Sequence, residues 1–129
     1  MKEYVSDPKG TSCLSNIKNS ASHLSQLVAS LLDYHQLENG LMQLNPVNFS
    51  PEQLVKLSVE GLRLQAEKKG LAISCEFQNA DKDNIWGKIF RGDDFRIRQV
   101  LDNLVSNAIK YTDQGSVHII ASIQQARNE

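Results

Sequence analysis

The chain has 129 residues, enough to bury a core without a disulfide or metal staple. Its 14 Lys and Arg against 15 Asp and Glu give a formal net charge of −1, which excludes the basic excess of a nucleic-acid module. With 40% hydrophobic and 22% charged residues, and no apolar run near the ~20 residues that cross a bilayer, the composition is that of a folded globular protein. The opening Met1-Lys2-Glu3-Tyr4 leads into polar sequence and not into the apolar stretch of a secretory leader. Cys13 and Cys75 are far apart, with no CxxC spacing, so neither a disulfide nor a metal site is expected and the setting reads as reducing and cytosolic.

Asp7-Pro8-Lys9-Gly10 reads as a turn or loop. From Leu14 the pattern becomes helical. Leu14, Ile17, Ala21, Leu24, Val28 and Leu31 step by three and four, and His35 and Glu38 continue the stripe. Leu27, Tyr34, Leu37 and Leu41 lie beside it, so the apolar face has the width of a helix-bundle member. Asn39-Gly40 is its first stop signal. Such a face is too large to leave in water and predicts partner helices. Leu41 to Asn48, with Pro46, reads as an extended connector or edge strand. The boundary falls here, between a helical part, 1–44, and a second part, 45–129.

Ser50-Pro51-Glu52-Gln53 starts a helix, with Ser50 as cap, Pro51 in the first turn and Gln53 completing a capping box. Val55, Val59, Leu62 and Ala66 form its stripe, and Lys68-Lys69-Gly70 ends it with cations at the negative end of its dipole. Leu71, Ile73, Cys75 and Phe77 alternate with Ala72, Ser74 and Glu76, which predicts a half-buried strand. Gln78 to Asn84 is a polar loop, and Ile85 to Phe90 reads as a second short strand. Gly92-Asp93 turns the chain, with Asp93 as the next cap. Ile97, Val100, Leu101, Leu104, Val105 and Ala108 give the clearest amphipathic helix. After the turn Asp113-Gln114-Gly115, Val117, Ile119, Ala121 and Ile123 alternate as a last strand. There are no internal repeats.

On that last helix Asn103, Asn107 and Lys110 sit at i, i+4 and i+7 and project from one side. Asn is a mediocre helix former, so two in register call for a reason. One reading is a solvated face. The other is a polyphosphate and magnesium site, because an amide oxygen is a hard ligand suited to Mg²⁺ and Lys adds a point charge for phosphate.

The run from Asp93-Asp94-Phe95-Arg96-Ile97-Arg98-Gln99 through Asn103-Leu104-Val105-Ser106-Asn107-Ala108-Ile109-Lys110-Tyr111-Thr112 closely resembles the N-box region of sensor histidine kinases. Ser20 to Val28, followed by Leu31 to Gly40, resembles the second helix of their dimerisation domain, and Ala66 to Leu71 resembles the end of the first helix of their catalytic domain. The resemblance runs from about Leu14 to Ile123. It implies that Asn107 ligates the Mg²⁺ carried by ATP, that Asn103 lines the same pocket as a catalytic residue, that Lys110 contacts the phosphates and that Tyr111 packs near the nucleotide. Arg96 and Arg98 read as supports of the helix. It also implies an α/β (α+β) fold of the GHKL or Bergerat type: a long helix of a dimerisation bundle, then a partial α/β sandwich with helices on one face of a mixed sheet.

The departures count too. His23 and His35 are not followed by the acid, Arg and Pro of an H-box, and His118 lies in the last strand, so this chain holds no phosphoacceptor His. No Asp-x-Gly-x-Gly box follows Ile123. The expectation is a fragment of a longer kinase, cut before the glycine boxes and lid, with no autokinase activity and weak or absent ATP binding. The expected partners are a second copy, through the Leu14–Leu41 helix, and the receiver domain of a response regulator, with no nucleic acid and no direct membrane contact. The alternatives are a non-catalytic dimerisation module and an ATPase of the gyrase, heat-shock chaperone or MutL kind. Asn103 disfavours the latter, since those enzymes usually place a general-base Glu there.

Overall fold

Two compact units divide the chain between Gln43 and Leu44. The computed structural model describes residues 8–79 and 84–124. In the first unit, helix α1 spans Pro8–Glu38, 31 residues. It starts earlier than the stripe predicts and takes in Gly10, so the expected turn at Pro8-Lys9-Gly10 is helix instead. Pro8 fits there because a proline at the first helical position lacks only an N–H that would be unpaired anyway; Asp7 lies outside the described residues. The stop is where the sequence puts it. Gly40 has φ +65, and Leu41 N–H donates to Gln36 O at 2.8 Å, the closure expected of a glycine in the left-handed region. No residue of α1 is buried.

The second unit begins with β1, Val47–Phe49, and α2, Pro51–Lys68. Ser50 Oγ accepts from Gln53 N–H at 3.3 Å and caps α2. Then come β2, Ala72–Phe77, a 3-10 turn, Ile85–Gly87, and β3, Phe90–Gly92. Helix α3, Asp94–Tyr111, and β4, Ser116–Ala121, complete the described order. β1 pairs antiparallel with β3, Phe49 opposite Phe90. β2 pairs parallel with β4, Ala72 opposite Ser116. Among the described residues the strands thus form two separate pairs, one antiparallel and one parallel, where a single mixed sheet is expected.

The strand expected over Ile85–Phe90 is corrected to a 3-10 turn followed by a strand that starts at Phe90. The indole of Trp86 decides it. Trp86 is buried, its Nε1–H donates to Gln78 O at 2.8 Å, and its ring meets Phe77 edge-on at 4.7 Å. Turning the chain once, from a left-handed Asn84 (φ +48), tucks the indole in and satisfies its N–H.

The core is Val59, Ala66, Leu71, Ile73, Val105, Ile109 and Val117. Helices α2 and α3 therefore cover the face of the β2–β4 pair that carries Ile73 and Val117. The opposite face carries Ser74, Glu76 and His118, with Ser74 Oγ 2.6 Å from His118 Nδ1 and His118 Nε2 3.3 Å from Glu76 Oε2. The stripe predicted for α3 is only partly buried. Ile109 is wholly buried and was not in it, whereas Val100 is 60% and Leu104 64% exposed. Those two border an open apolar groove of about 560 Å³, shared with Phe49, Trp86 and Ile119.

Candidate functional site on the third helix

Both ends of α3 are fastened. At its start Asp93 Oδ2 accepts from Asn45 N–H at 2.9 Å and Oδ1 from Arg96 N–H at 3.0 Å. These two backbone donors, Asn45 first, hold the Asp93 carboxyl below its ordinary range. At the other end Lys69 Nζ donates to Ile109 O at 2.8 Å and to Lys110 O at 3.0 Å. Thr112 Oγ1 donates to Ala108 O at 2.7 Å. Lys69, read from the sequence as the closing cation of its own helix α2, supplies its charge to the negative end of α3 instead.

Between these fastenings Asn103, Asn107, Lys110 and Tyr111 are all exposed. The helix brings the first three onto one side, as their spacing requires. The Lys110 ammonium lies 5.3 Å from the centre of the Tyr111 ring, which is 76% exposed. Neither Asn103 nor Asn107 spends its side chain on a hydrogen bond to another described residue. Both side chains are exposed, and an amide oxygen is a hard, neutral donor of the kind that suits Mg²⁺ already held by phosphates. Among the described residues no three His, Cys, Asp or Glu side chains gather as a metal cluster.

Arg96 donates to Gln99 Oε1 at 3.0 Å, with its guanidinium 5.6 Å from the Phe95 ring centre. Arg98 reaches Asp102, Nε to Oδ2 at 3.6 Å. The Asp102 contact to α2 was not read from the sequence. Ser58, fully buried on α2, donates its hydroxyl to Asp102 Oδ1. Its one signal was a small polar residue beside Val59, in the middle of an apolar stripe. His23 and His35 are exposed on α1.

No protein-family model matches the chain. The signal transduction kinase BarA of Escherichia coli K12 is 30% identical over 115 residues, which is 89% of this chain and 12% of BarA. The homologues are histidine kinases. Full-length ShkA, solved in complex with AMPPNP, superposes with a TM-score of 0.74 at 25% identity, over 92% of this chain and 24% of ShkA. ThkA, solved in complex with the response regulator TrrA, gives a TM-score of 0.61 at 26% identity, over 96% of this chain and 35% of ThkA. These neighbours share the mixed helix-and-strand fold described above. The chain spans about an eighth of the length of its BarA relative. Among the described residues no helix is long and apolar enough to cross a membrane.

Proposed function

We propose that the chain is the junction of a sensor histidine kinase: the second helix of its dimerisation domain, residues 1–44, followed by the first part of its ATP-binding domain, residues 45–129. The observation that carries the reading is the outward face of Asn103, Asn107 and Lys110 on a helix fastened at both ends, in a chain whose homologues are histidine kinases. Asn107 holds the Mg²⁺ that accompanies ATP, and Asn103, one turn earlier, orients the reacting phosphate as the catalytic residue. Lys110 offsets phosphate charge, and the Tyr111 ring lies against the nucleotide. The bound Mg²⁺ neutralises charge that develops on the phosphates, and phosphoryl transfer asks little more of a protein than this and positioning. In the whole kinase the γ-phosphoryl group passes to a His of the dimerisation bundle and then to an Asp of a response regulator, in the cytoplasm. The AMPPNP bound by ShkA and the regulator bound by ThkA support those two partners.

The test is nuclear magnetic resonance of the ¹⁵N-labelled chain with millimolar Mn²⁺·ATP. The side-chain amides of Asn103 and Asn107 are expected to broaden selectively. Broadening spread evenly over surface amides, or confined to acidic residues elsewhere, rejects the assignment.

A further inference from the structure

Asp102 precedes Asn103 and lies about 100° around α3 from it. It faces α2, where the buried Ser58 hydroxyl donates to Oδ1 while Arg98, one turn earlier on α3, approaches Oδ2. The same guanidinium lies over Gly61 of α2, whose added Cβ would stand 3.6 Å from Arg98 Nη2. Ser58 and Gly61 thus form a slot of small residues on α2 that receives two polar side chains of α3.

We propose that Ser58, Asp102 and Arg98 are positioning residues: a polar latch that sets the rotation of α3 about its own axis, and with it the direction in which Asn103, Asn107 and Lys110 point. The proposal rests on the nucleotide-site reading for its purpose, though not for its geometry. A directional hydrogen bond fixes rotation in a way that apolar contact does not, because a greasy stripe tolerates a small roll. On α3 Val105 and Ile109 are buried and Leu101 and Ala108 pack against the same core, while Val100 and Leu104 are exposed, so apolar contact restrains one face of the helix only. At about 100° per residue, Lys110, Asn103 and Asn107 lie about 80° to 140° around the helix from Asp102. A roll of about 20° carries a group about 6 Å from the axis through about 2 Å. Misplacement of a reacting group by about 1 Å can cost about 100-fold in rate. The latch therefore acts on the part of the site that tolerates least error.

Residual dipolar couplings of the ¹⁵N-labelled chain, measured without nucleotide, give the roll of α3 against α2. Ser58→Ala is expected to turn α3 by about 20°, judged against the 100° step between residues. Asp102→Asn, which keeps an accepting oxygen for Ser58, is expected to hold the wild-type roll. Val59→Ala lowers the melting temperature by loosening the core and is expected to leave the roll unchanged. Should Ser58→Ala not fold, Asp102→Ala, at a half-exposed side chain, is expected to give the same turn. An unchanged roll in the folded Ser58 or Asp102 alanine variant overturns the latch, as does an equal turn in Val59→Ala. Absence of selective Mn²⁺·ATP broadening in the wild type counts against the proposed function instead, because the roll is read without nucleotide.

Discussion

Helix α1 and the second unit are both rich in leucine, isoleucine and valine, yet they treat them in opposite ways. On α1 Leu24 is 62% and Leu31 67% exposed and nothing is buried. In the second unit Ala66 and Ile109 are wholly buried, and seven residues form one core. In proteins, helices take most of their stability from packing one amphipathic face and not from propensity. The second unit carries its own reason to fold; α1 has its reason outside itself. Amphipathic pattern measures how much a helix needs to bury, not what covers it.

The comparison can be broken most sharply at α1. We expect the chain to self-associate at tens of micromolar, and Leu24→Glu with Leu31→Glu to reduce it to a monomer in sedimentation. Each Leu buried in a symmetric pair contributes about 1.5 to 3 kcal/mol. A wild-type monomer would mean that α1 needs no second copy. The next effect belongs to the core. Ile109→Ala is expected to lose about 2 to 5 kcal/mol in urea unfolding followed by Trp86 fluorescence. Leu24→Ala, the same kind of truncation on α1, should leave that transition where it was.

A smaller effect has the opposite sign. Gly61 lies inside α2, and a Cβ there meets only the Arg98 guanidinium, at ordinary contact distance. Gly61→Ala is expected to stabilise the second unit by about 0.5 to 1 kcal/mol; destabilisation would mean that the Arg98 slot has no slack. The smallest effect is at Asp93. Its carboxyl is held below the ordinary range by Asn45 and Arg96 N–H. A depressed folded value means that the contribution is present above the ordinary carboxylate range and is lost as pH falls through the folded value. Asp93→Asn should flatten the acid limb of the stability profile for the second unit, and an unchanged slope below pH ~4 would contradict this.

Much of the local structure was legible. Ser50-Pro51 as a start, Gly40 and Gly70 as stops, and the period-two run from Leu71 to Phe77 are short-range signals, and the structure contains each of them. Asn103, Asn107 and Lys110 were legible as a shared face because helix geometry alone dictates it. What escaped depended on distant partners. The Ile85–Phe90 segment looks like a strand until Trp86 needs an acceptor at Gln78. Lys69 looks like a cap for its own helix until α3 ends beside it. Ser58 looks like a flaw in a stripe until Asp102 arrives from 44 residues away. Val100 and Leu104 read as core because their spacing is right, and spacing carries no information about what lies opposite.

The parallel pairing of β2 with β4 has a consequence for how the chain is made. Ala72 meets Ser116, 44 residues later, with α3 lying between them in the sequence. At about 5 to 20 residues per second, β2 waits roughly 2 to 9 s after synthesis before its partner strand exists. Through that interval Ile73 and Cys75 have only α2 to lean on, and the hydrogen-bonding edge of β2 is open to any extended segment that passes. The unit is thus most vulnerable while it is being made, and the arrival of Val117 to Ala121 closes that window.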